Sequence, residues 1–168
     1  SRKAPPAWLN PDGRYVVVSM GYRLAPETKL PAIIDDLRDA YRWLRDQGPR
    51  LFHIDPDRIC VAGESAGGYL TLMTGFTVAP RPRVLLSLSG YGDIALPWYS
   101  RPSPFYLAQP LVSKEDALAS VGPNCVSEPP EKGDHRYDFY LYCRQHGIWP
   151  KEVTGHDPDT ENKWFDPY

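Results

Sequence analysis

The sequence predicts an α/β protein with a parallel sheet and crossover helices. Three apolar runs, at residues 15–20, 59–62 and 84–89, predict strands, and the first is typical of a strand that is buried on both faces. The intervals between them hold segments that can form helices. A strand, helix, strand, helix, strand order within residues 15–89 indicates right-handed crossovers and hence parallel strands.

Composition limits the functional classes. Of the 168 residues, 42% are hydrophobic and 24% are charged, as expected for one globular domain with a real core. The formal net charge of −2 offers no basic surface for nucleic acid or an anionic membrane. No apolar run is long enough to span a bilayer. Nucleic acid and a membrane are therefore not expected partners, and the sequence gives no oligomeric state.

The three cysteines, Cys60, Cys125 and Cys143, indicate neither a disulfide framework nor a zinc site. Their number is odd and no Cys-x-x-Cys occurs. Ligand clusters and phosphate-binding loops are missing too, so we expect no metal and no cofactor. Cys60 lies in an apolar strand pattern and should be buried. This cysteine usage favours a reducing, cytoplasmic type of compartment.

The first strand and the first helix are predicted from their apolar patterns. The β-branched run at 15–20 follows a turn signal, Asn-Pro-Asp-Gly, at residues 10–13. The helix is predicted over residues 31–47, with Pro31 in its first turn. Gly48 and Pro49 should end it. Its apolar residues recur every 3.6 positions and its charged residues form a solvated face. The apolar stripe comprises Ile33, Ile34, Leu37, Ala40, Tyr41 and Leu44.

The most informative stretch is residues 63–68, Gly-Glu-Ser-Ala-Gly-Gly. It follows the strand at 59–62 and precedes a predicted helix at 66–77, after which the third strand is expected at 84–89. A Gly-x-Ser-x-Gly between strand and helix is typical of a nucleophile elbow, where a strained turn exposes the serine hydroxyl. Gly63 and Gly67 would let strand and helix approach closely. The alternative, a plain glycine-rich turn, is disfavoured by this strand–helix context.

The chain changes character from residue 94 onward. Prolines and aromatic residues become frequent, and no β-branched run appears. Short helices are predicted at 113–119, with Ser113 as the cap and Asp116 completing a capping box, and at 135–145. We therefore divide the chain into a partial core at 1–93 and an insertion at 94–168 that covers the strand ends.

Four motifs together resemble the α/β-hydrolase superfamily, in particular its hormone-sensitive-lipase-like esterases and lipases. They are Gly-Tyr-Arg-Leu-Ala-Pro-Glu at 21–27, Pro-Ala at 31–32 with Asp36, Asp-Pro-Asp-Arg-Ile at 55–59, and the elbow at 63–68. The resemblance covers residues 15–92. It implies a partial α/β-hydrolase fold, with residues 94–168 as a helical cap rich in aromatics and proline.

The resemblance also implies carboxylic-ester hydrolysis through an acyl-enzyme. Ser65 would be the nucleophile, and the backbone N–H of Ala66 would donate to the oxyanion. Arg23 is expected to be a structural hydrogen-bonding residue. The substrate would be a small-molecule acyl ester.

Three parts of the family's machinery are expected to be missing. The His-Gly-Gly oxyanion loop normally precedes the strand at 15–20, but residues 1–14 do not contain it. The family's acid and histidine each follow a later strand, yet no β-branched run precedes His135, His146 or His156. All three are expected to be surface or cap residues, with His156 the least unsuitable base. Asp93 is expected to be structural. The chain thus resembles the middle of a longer hydrolase.

Two alternative functions remain open. One is a non-catalytic, hydrolase-like binding module, since no base is identified. The other is acyl transfer to an alcohol or amine by the same elbow. Hydrolysis and transfer are not separable by sequence, because water and an acceptor compete for the same acyl-enzyme.

Overall fold

The computed structural model describes residues 13–127 and 136–157. A two-stranded parallel sheet and the helix that connects its strands form its centre, and the first helix of the chain packs on that connecting helix. The elements in chain order are α1 Leu30–Phe52, β1 Cys60–Glu64, α2 Ala66–Thr77, β2 Val84–Leu88, a 3-10 turn Pro97–Tyr99, α3 Pro104–Leu107, α4 Lys114–Leu118, α5 Arg136–His146 and α6 Trp149–Thr154.

The sheet confirms the predicted parallel arrangement, and in it the second run pairs with the third. The register places Cys60 opposite Val84 and Glu64 opposite Leu88. Helix α2 crosses between the strands and has the bounds predicted for it. Val61 and Leu85 pair in the sheet, and the Leu85 side chain reaches Gly75 of α2. Consequently α2 covers that face of the sheet.

The predicted strand at 15–20 does not form in the structure. These residues have no strand hydrogen-bonding pattern, and the described sheet contains only β1 and β2. Their large apolar side chains are 37–67% exposed. A strand needs a neighbour to satisfy its backbone groups, and no described strand lies beside this segment. The β-branched pattern was therefore insufficient to predict pairing.

Helix α1 is longer than predicted. It continues through Gly48 and Pro49 to Phe52, and His53 ends it in the left-handed conformation at φ 55°. Proline removes one helical hydrogen bond but does not force the helix to stop. Gly48 is buried against Ile54, because a Cβ there would lie 2.6 Å from Ile54 Cδ1. This packing favours the extra turn.

Cys60 is exposed, so its predicted burial was wrong. It belongs to the sheet face opposite α2, where Ala62, Val84 and Leu86 are also exposed. The apolar strand pattern had predicted a small, buried side chain at this position. Among the described residues only one side is covered.

The C-terminal helical region, residues 94–127 and 136–157, contains helices and no strand within those described ranges. Its α4 begins at the predicted cap: Asp116 N–H donates to Ser113 Oγ at 3.0 Å, and that hydroxyl donates to Asp116 Oδ2 at 2.7 Å. The helix predicted at 135–145 is α5, although His135 lies outside the described residues. No described helix has the length and hydropathy required to cross a bilayer.

One hydrophobic core joins the two parts of the chain. Leu30, Ile33 and Ile34 of α1 and Leu70 of α2 cluster with buried residues of the C-terminal helical region. The latter are Ile94, Phe139, Cys143 and Trp149. The C-terminal helical region therefore packs on α1 and α2 beside the sheet's carboxyl end, where the elbow lies.

Candidate active site

Ser65 occupies a sharp turn between β1 and α2. Its backbone lies at φ 55° and ψ −118°, a conformation that L-residues rarely adopt. Its N–H donates to Leu88 O at 2.9 Å, and its carbonyl accepts from Gly68 and Tyr69 at 3.0 and 3.2 Å. Such strain costs about 1–3 kcal/mol and persists only where surrounding contacts enforce it. Ser65 is thereby held exposed at the end of the sheet.

Glycines allow this turn through close backbone approach. A Cβ on Gly63 would lie 2.2 Å from Gly67 O and 2.9 Å from Thr71 Oγ1. Gly68 and Gly90 touch in the same way, because a Cβ on Gly68 would lie 2.8 Å from Gly90 Cα. The predicted need for glycine is thus met at Gly63. The prediction that glycine is also required at position 67 was wrong, since a Cβ on Gly67 would meet nothing within 4 Å.

Ala66 is the first residue of α2 and lies beside Ser65. The N–H groups of Gly68 and Tyr69, which follow it, already donate to Ser65 O. The N–H of Ala66 comes before these bonds, so it is one of the helix donors without an intrahelical acceptor. Ser65 and Ala66 both border the same cavity.

This cavity has a volume of about 410 Å³ and lies between the elbow and the C-terminal helical region. Its walls are mainly apolar and aromatic. They come from the 22–25 loop, α1, α2, the segment after β2, α5 and α6. The aromatic members are Tyr22, Tyr69, Tyr91, Tyr137, Phe139, Tyr140 and Trp149. The volume falls within the usual range for small-molecule sites.

Two arginines border the cavity, and both are paired with carboxylates. Arg136 Nη2 lies 2.6 Å from Glu27 Oε2, with the two side chains 14% and 2% exposed. Burial by itself raises the pKa of Glu27, but hydrogen bonds from Arg136 and from backbone N–H groups, including that of Gly122, outweigh it and lower the pKa. Arg23 forms the structural hydrogen bonds predicted for it, with Nε 2.9 Å from Asp36 Oδ1. Among the described residues, the cavity wall therefore carries no unpaired arginine charge.

Three tyrosine hydroxyls form a hydrogen-bonded chain on the side of the cavity away from the elbow, and two of them, Tyr91 and Tyr140, line the cavity. Tyr140 Oη lies 2.7 Å from Tyr91 Oη and 2.9 Å from Tyr106 Oη. Burial raises the pKa of Tyr91 and of Tyr140. Burial, together with the charge of Asp93, also raises the pKa of Tyr69 to about 12. Tyr69, Tyr91 and Tyr140 are consequently neutral hydroxyls at physiological pH.

Arg144 packs against aromatic rings of the C-terminal helical region, including that of Trp149 in the cavity wall. Its guanidinium carbon lies 4.6 Å from the ring centre of Tyr99, 5.3 Å from Tyr106 and 5.9 Å from Trp149. The residue is 6% exposed, and its Nε and Nη1 atoms have no hydrogen-bond partner in the described structure. Cation–π attraction to the rings is therefore its main favourable contact.

The described histidines do not border the cavity. His53, His146 and His156 are exposed, and His146 Nδ1 pairs with Tyr142 O at 2.9 Å. Asp93 accepts from the N–H of Ala95 at 2.7 Å, as expected for a structural turn residue. His135 lies outside the described residues. Within the described ranges no group of three or more His, Cys, Asp or Glu side chains could hold a metal ion.

Sequence reasoning missed the residues that shape the cavity. Tyr91, Tyr140, Trp149 and Arg136 come from three separate segments, and their positions have no motif spacing. The only signal was the frequency of aromatic residues after residue 94. A cavity wall of this kind depends on tertiary packing.

Comparison with known proteins identifies a sequence family and individual proteins that are similar to this chain. A sequence family described as alpha/beta hydrolase fold matches residues 10–126. An ethyl acetate hydrolase of Pseudomonas putida is 42% identical over 74 residues, covering 44% of this chain and 23% of that protein. An arylacetamide deacetylase of Oryctolagus cuniculus is 35% identical over 109 residues, covering 59% and 26%. Carboxylesterase NlhH of Mycobacterium tuberculosis is 52% identical over 56 residues, covering 33% and 17%.

A solved structure supports the same fold. A crystal structure of a protein of unknown function from Staphylococcus aureus subsp. aureus Mu50 superposes with a TM-score of 0.67 at 23% identity. The match covers 83% of this chain and 48% of that one. This chain therefore spans about half of the solved structure and about a quarter or less of these curated relatives.

Proposed function

Because this chain belongs to the α/β-hydrolase fold family and resembles its hormone-sensitive-lipase-like esterases, we propose that it hydrolyses carboxylic esters with Ser65 as the nucleophile. The observation that carries the proposal is the backbone of Ser65, at φ 55° and ψ −118° on the rim of the 410 Å³ cavity. The printed names of the relatives, an ethyl acetate hydrolase and carboxylesterases, support the reaction class.

In the proposed reaction Ser65 Oγ attacks the ester carbonyl carbon and loses its proton, the ester C–O bond breaks, and the alcohol leaves with that proton. The resulting acyl-enzyme is then hydrolysed by water. The N–H of Ala66 donates to the oxyanion of each tetrahedral intermediate. A donor of this kind contributes about 2.7–4 kcal/mol at the transition state.

The acyl part would occupy the aromatic cavity. Arg136, Tyr140 and Trp149 of the C-terminal helical region line it. We accordingly propose that residues from 94 onward act as a cap over the partial core of 1–93. The apolar lining favours an acyl group over water by burial of apolar surface.

The proposal assigns no general base to the described residues. None of His53, His146 and His156 borders the cavity. The proposal accordingly leaves the acid, the histidine and a second oxyanion loop unassigned, in keeping with the expectation that this chain lacks them. An enzyme lacking part of its triad still exceeds the uncatalysed rate when its oxyanion hole and binding survive.

A fluorophosphonate probe tests whether Ser65 is activated. The folded chain is incubated with the probe, digested, and the labelled peptide identified by mass spectrometry. We expect the label on Ser65 and none in Ser65→Ala. Ser113→Ala is a suitable control because Ser113 caps α4 and does not border the cavity. A folded chain without label at Ser65 would contradict nucleophile activation.

The second candidate is ligand binding without turnover. It is favoured by one observation, that no described histidine borders the Ser65 cavity. In this case esters bind in the aromatic cavity and are released unchanged. Saturable ester binding with no fluorophosphonate label would select this function over hydrolysis.

A further inference from the structure

The chain of tyrosine hydroxyls in the cavity wall has one proton more than it has hydrogen bonds. Tyr140 bonds to Tyr91 on one side and to Tyr106 on the other. Three hydroxyls carry three protons, and two hydrogen bonds use two of them. None of the three hydroxyls has another hydrogen-bond partner among the residues that the structure describes. One O–H donor therefore remains available.

The free donor can be offered to a ligand, because Tyr91 and Tyr140 line the cavity while Tyr106 does not. Ring contacts hold both tyrosines in place. The Tyr91 ring lies 5.0 Å from Trp149, and the Tyr140 ring lies 5.5 Å from Tyr106. Hydroxyls in a chain polarise one another, so the remaining O–H is a stronger donor than an isolated tyrosine hydroxyl.

The charges around the cavity select a neutral partner for this donor. Arg136 is paired with Glu27, and Arg23 is paired with Asp36. An anionic ligand would therefore find no unpaired arginine among the described residues of the wall, yet it would lose its hydration on entering an apolar space. Aliphatic side chains also line the cavity, namely those of Leu30, Ile33, Leu70 and Ile94.

We propose that this cavity selects uncharged esters whose acyl part carries a neutral oxygen acceptor, such as a keto group, that accepts a hydrogen bond from the Tyr91–Tyr140 pair. The inference rests on the proposed ester hydrolysis for placing the ester group at Ser65. The binding preference itself needs no catalysis. The hydroxyl chain distinguishes keto-acyl esters from simple alkyl esters, because an alkyl chain leaves the donor unpaired.

The experiment measures dissociation constants in the Ser65→Ala chain, in which no ester can be cleaved through Ser65. The ligands are ethyl esters of 4-, 5- and 6-oxo acids and their alkyl counterparts of the same carbon number, titrated by NMR. In Tyr91→Phe/Tyr140→Phe we expect the best oxo ester to bind about 10-fold more weakly. Its alkyl counterpart should change by no more than about twofold, since only the hydroxyls are removed.

Two single variants serve as controls. Tyr106→Phe should keep the preference, because two remaining hydroxyls share one hydrogen bond and still leave one donor in the cavity. Tyr142→Phe lies on the same helix, outside the cavity, and should change neither ester. Equal weakening of oxo and alkyl esters in the double variant would overturn the proposal. The proposal would also be overturned if the preference for the oxo ester over its alkyl counterpart survived in the double variant and disappeared in Tyr69→Phe.

A further measurement needs no change in the tyrosines. A donor held in one position should give an optimum at one of the three keto positions, and equal affinities at all three would overturn the proposal. Failure of the proposed hydrolysis gives a different result. In that case the parent chain shows no fluorophosphonate label at Ser65, while the oxo-ester preference remains.

Discussion

The two sides of the cavity are held in place by different interactions. On the elbow side the backbone decides the geometry, through the contact of Gly63 with Gly67 and the hydrogen bond from Ser65 to Leu88. On the far side, side chains decide it, through the tyrosine chain, the Arg144 cation–π contacts and the Glu27–Arg136 pair. Backbone-determined geometry tolerates few residue types, whereas a packed wall can be built from many combinations. The two sides should therefore respond differently to substitution.

The largest loss is expected for Gly63→Ala. The new Cβ would lie 2.2 Å from a backbone oxygen of Gly67, so the strand and helix must separate. We expect the free energy of unfolding to fall by about 4 kcal/mol, as for other severe steric changes. Urea denaturation measures it. Gly67→Ala is the matched control, since it meets no atom within 4 Å and a helical alanine should gain up to about 1 kcal/mol. Equal losses in both variants would contradict this account.

On the wall side, Arg136→Met should cost about 3 kcal/mol of unfolding free energy. It leaves the 2% exposed carboxylate of Glu27 without its cation, and breaking a buried pair by removing one partner is expensive. The control is Arg42→Met, whose pair with Asp39 is exposed and should contribute less than about 1 kcal/mol. Chemical denaturation of both variants at neutral pH gives the comparison. Similar small losses would show that the wall does not depend on the pair.

A smaller effect is expected from acid. The pKa of Glu27 is lowered in the folded chain, so its contribution to stability is complete above its ordinary pKa of 4.5 and is lost as pH falls through the folded value. The stability of the parent chain should therefore decrease below pH 4.5 more steeply than that of Glu27→Gln. Urea titrations at a series of pH values measure both profiles. Parallel profiles would contradict the lowered pKa.

The smallest effect, and one of opposite sign, is expected for Ser65→Gly. Glycine adopts φ 55° without the Cβ strain, so the unfolding free energy should rise by about 1 kcal/mol after the entropy cost of glycine is included. Ser65→Ala keeps the Cβ and should leave stability within about 0.5 kcal/mol of the parent chain. Equal stabilities for the glycine and alanine variants would show that the turn is unstrained.

The same division explains what could be predicted from the sequence. The bounds of α2 and the cap of α4 depend on local patterns, and both were predicted correctly. The parallel direction of β1 and β2 was also predicted correctly, from the order of the elements. The run at 15–20 has an equally strong strand pattern but lacks a described neighbour, so it forms no strand. A strand requires a partner that local sequence does not specify. The far wall of the cavity depends in the same way on distant segments meeting.

The central claim is that the turn at Ser65 presents an activated nucleophile to the cavity. Stopped-flow measurement of p-nitrophenyl acetate cleavage tests it directly, because an acyl-enzyme releases p-nitrophenolate before deacylation. We predict a burst of one equivalent per chain that is lost in Ser65→Ala and retained in Ser113→Ala. Equal release by the parent chain and Ser65→Ala, or no release by the folded parent chain, would contradict the claim.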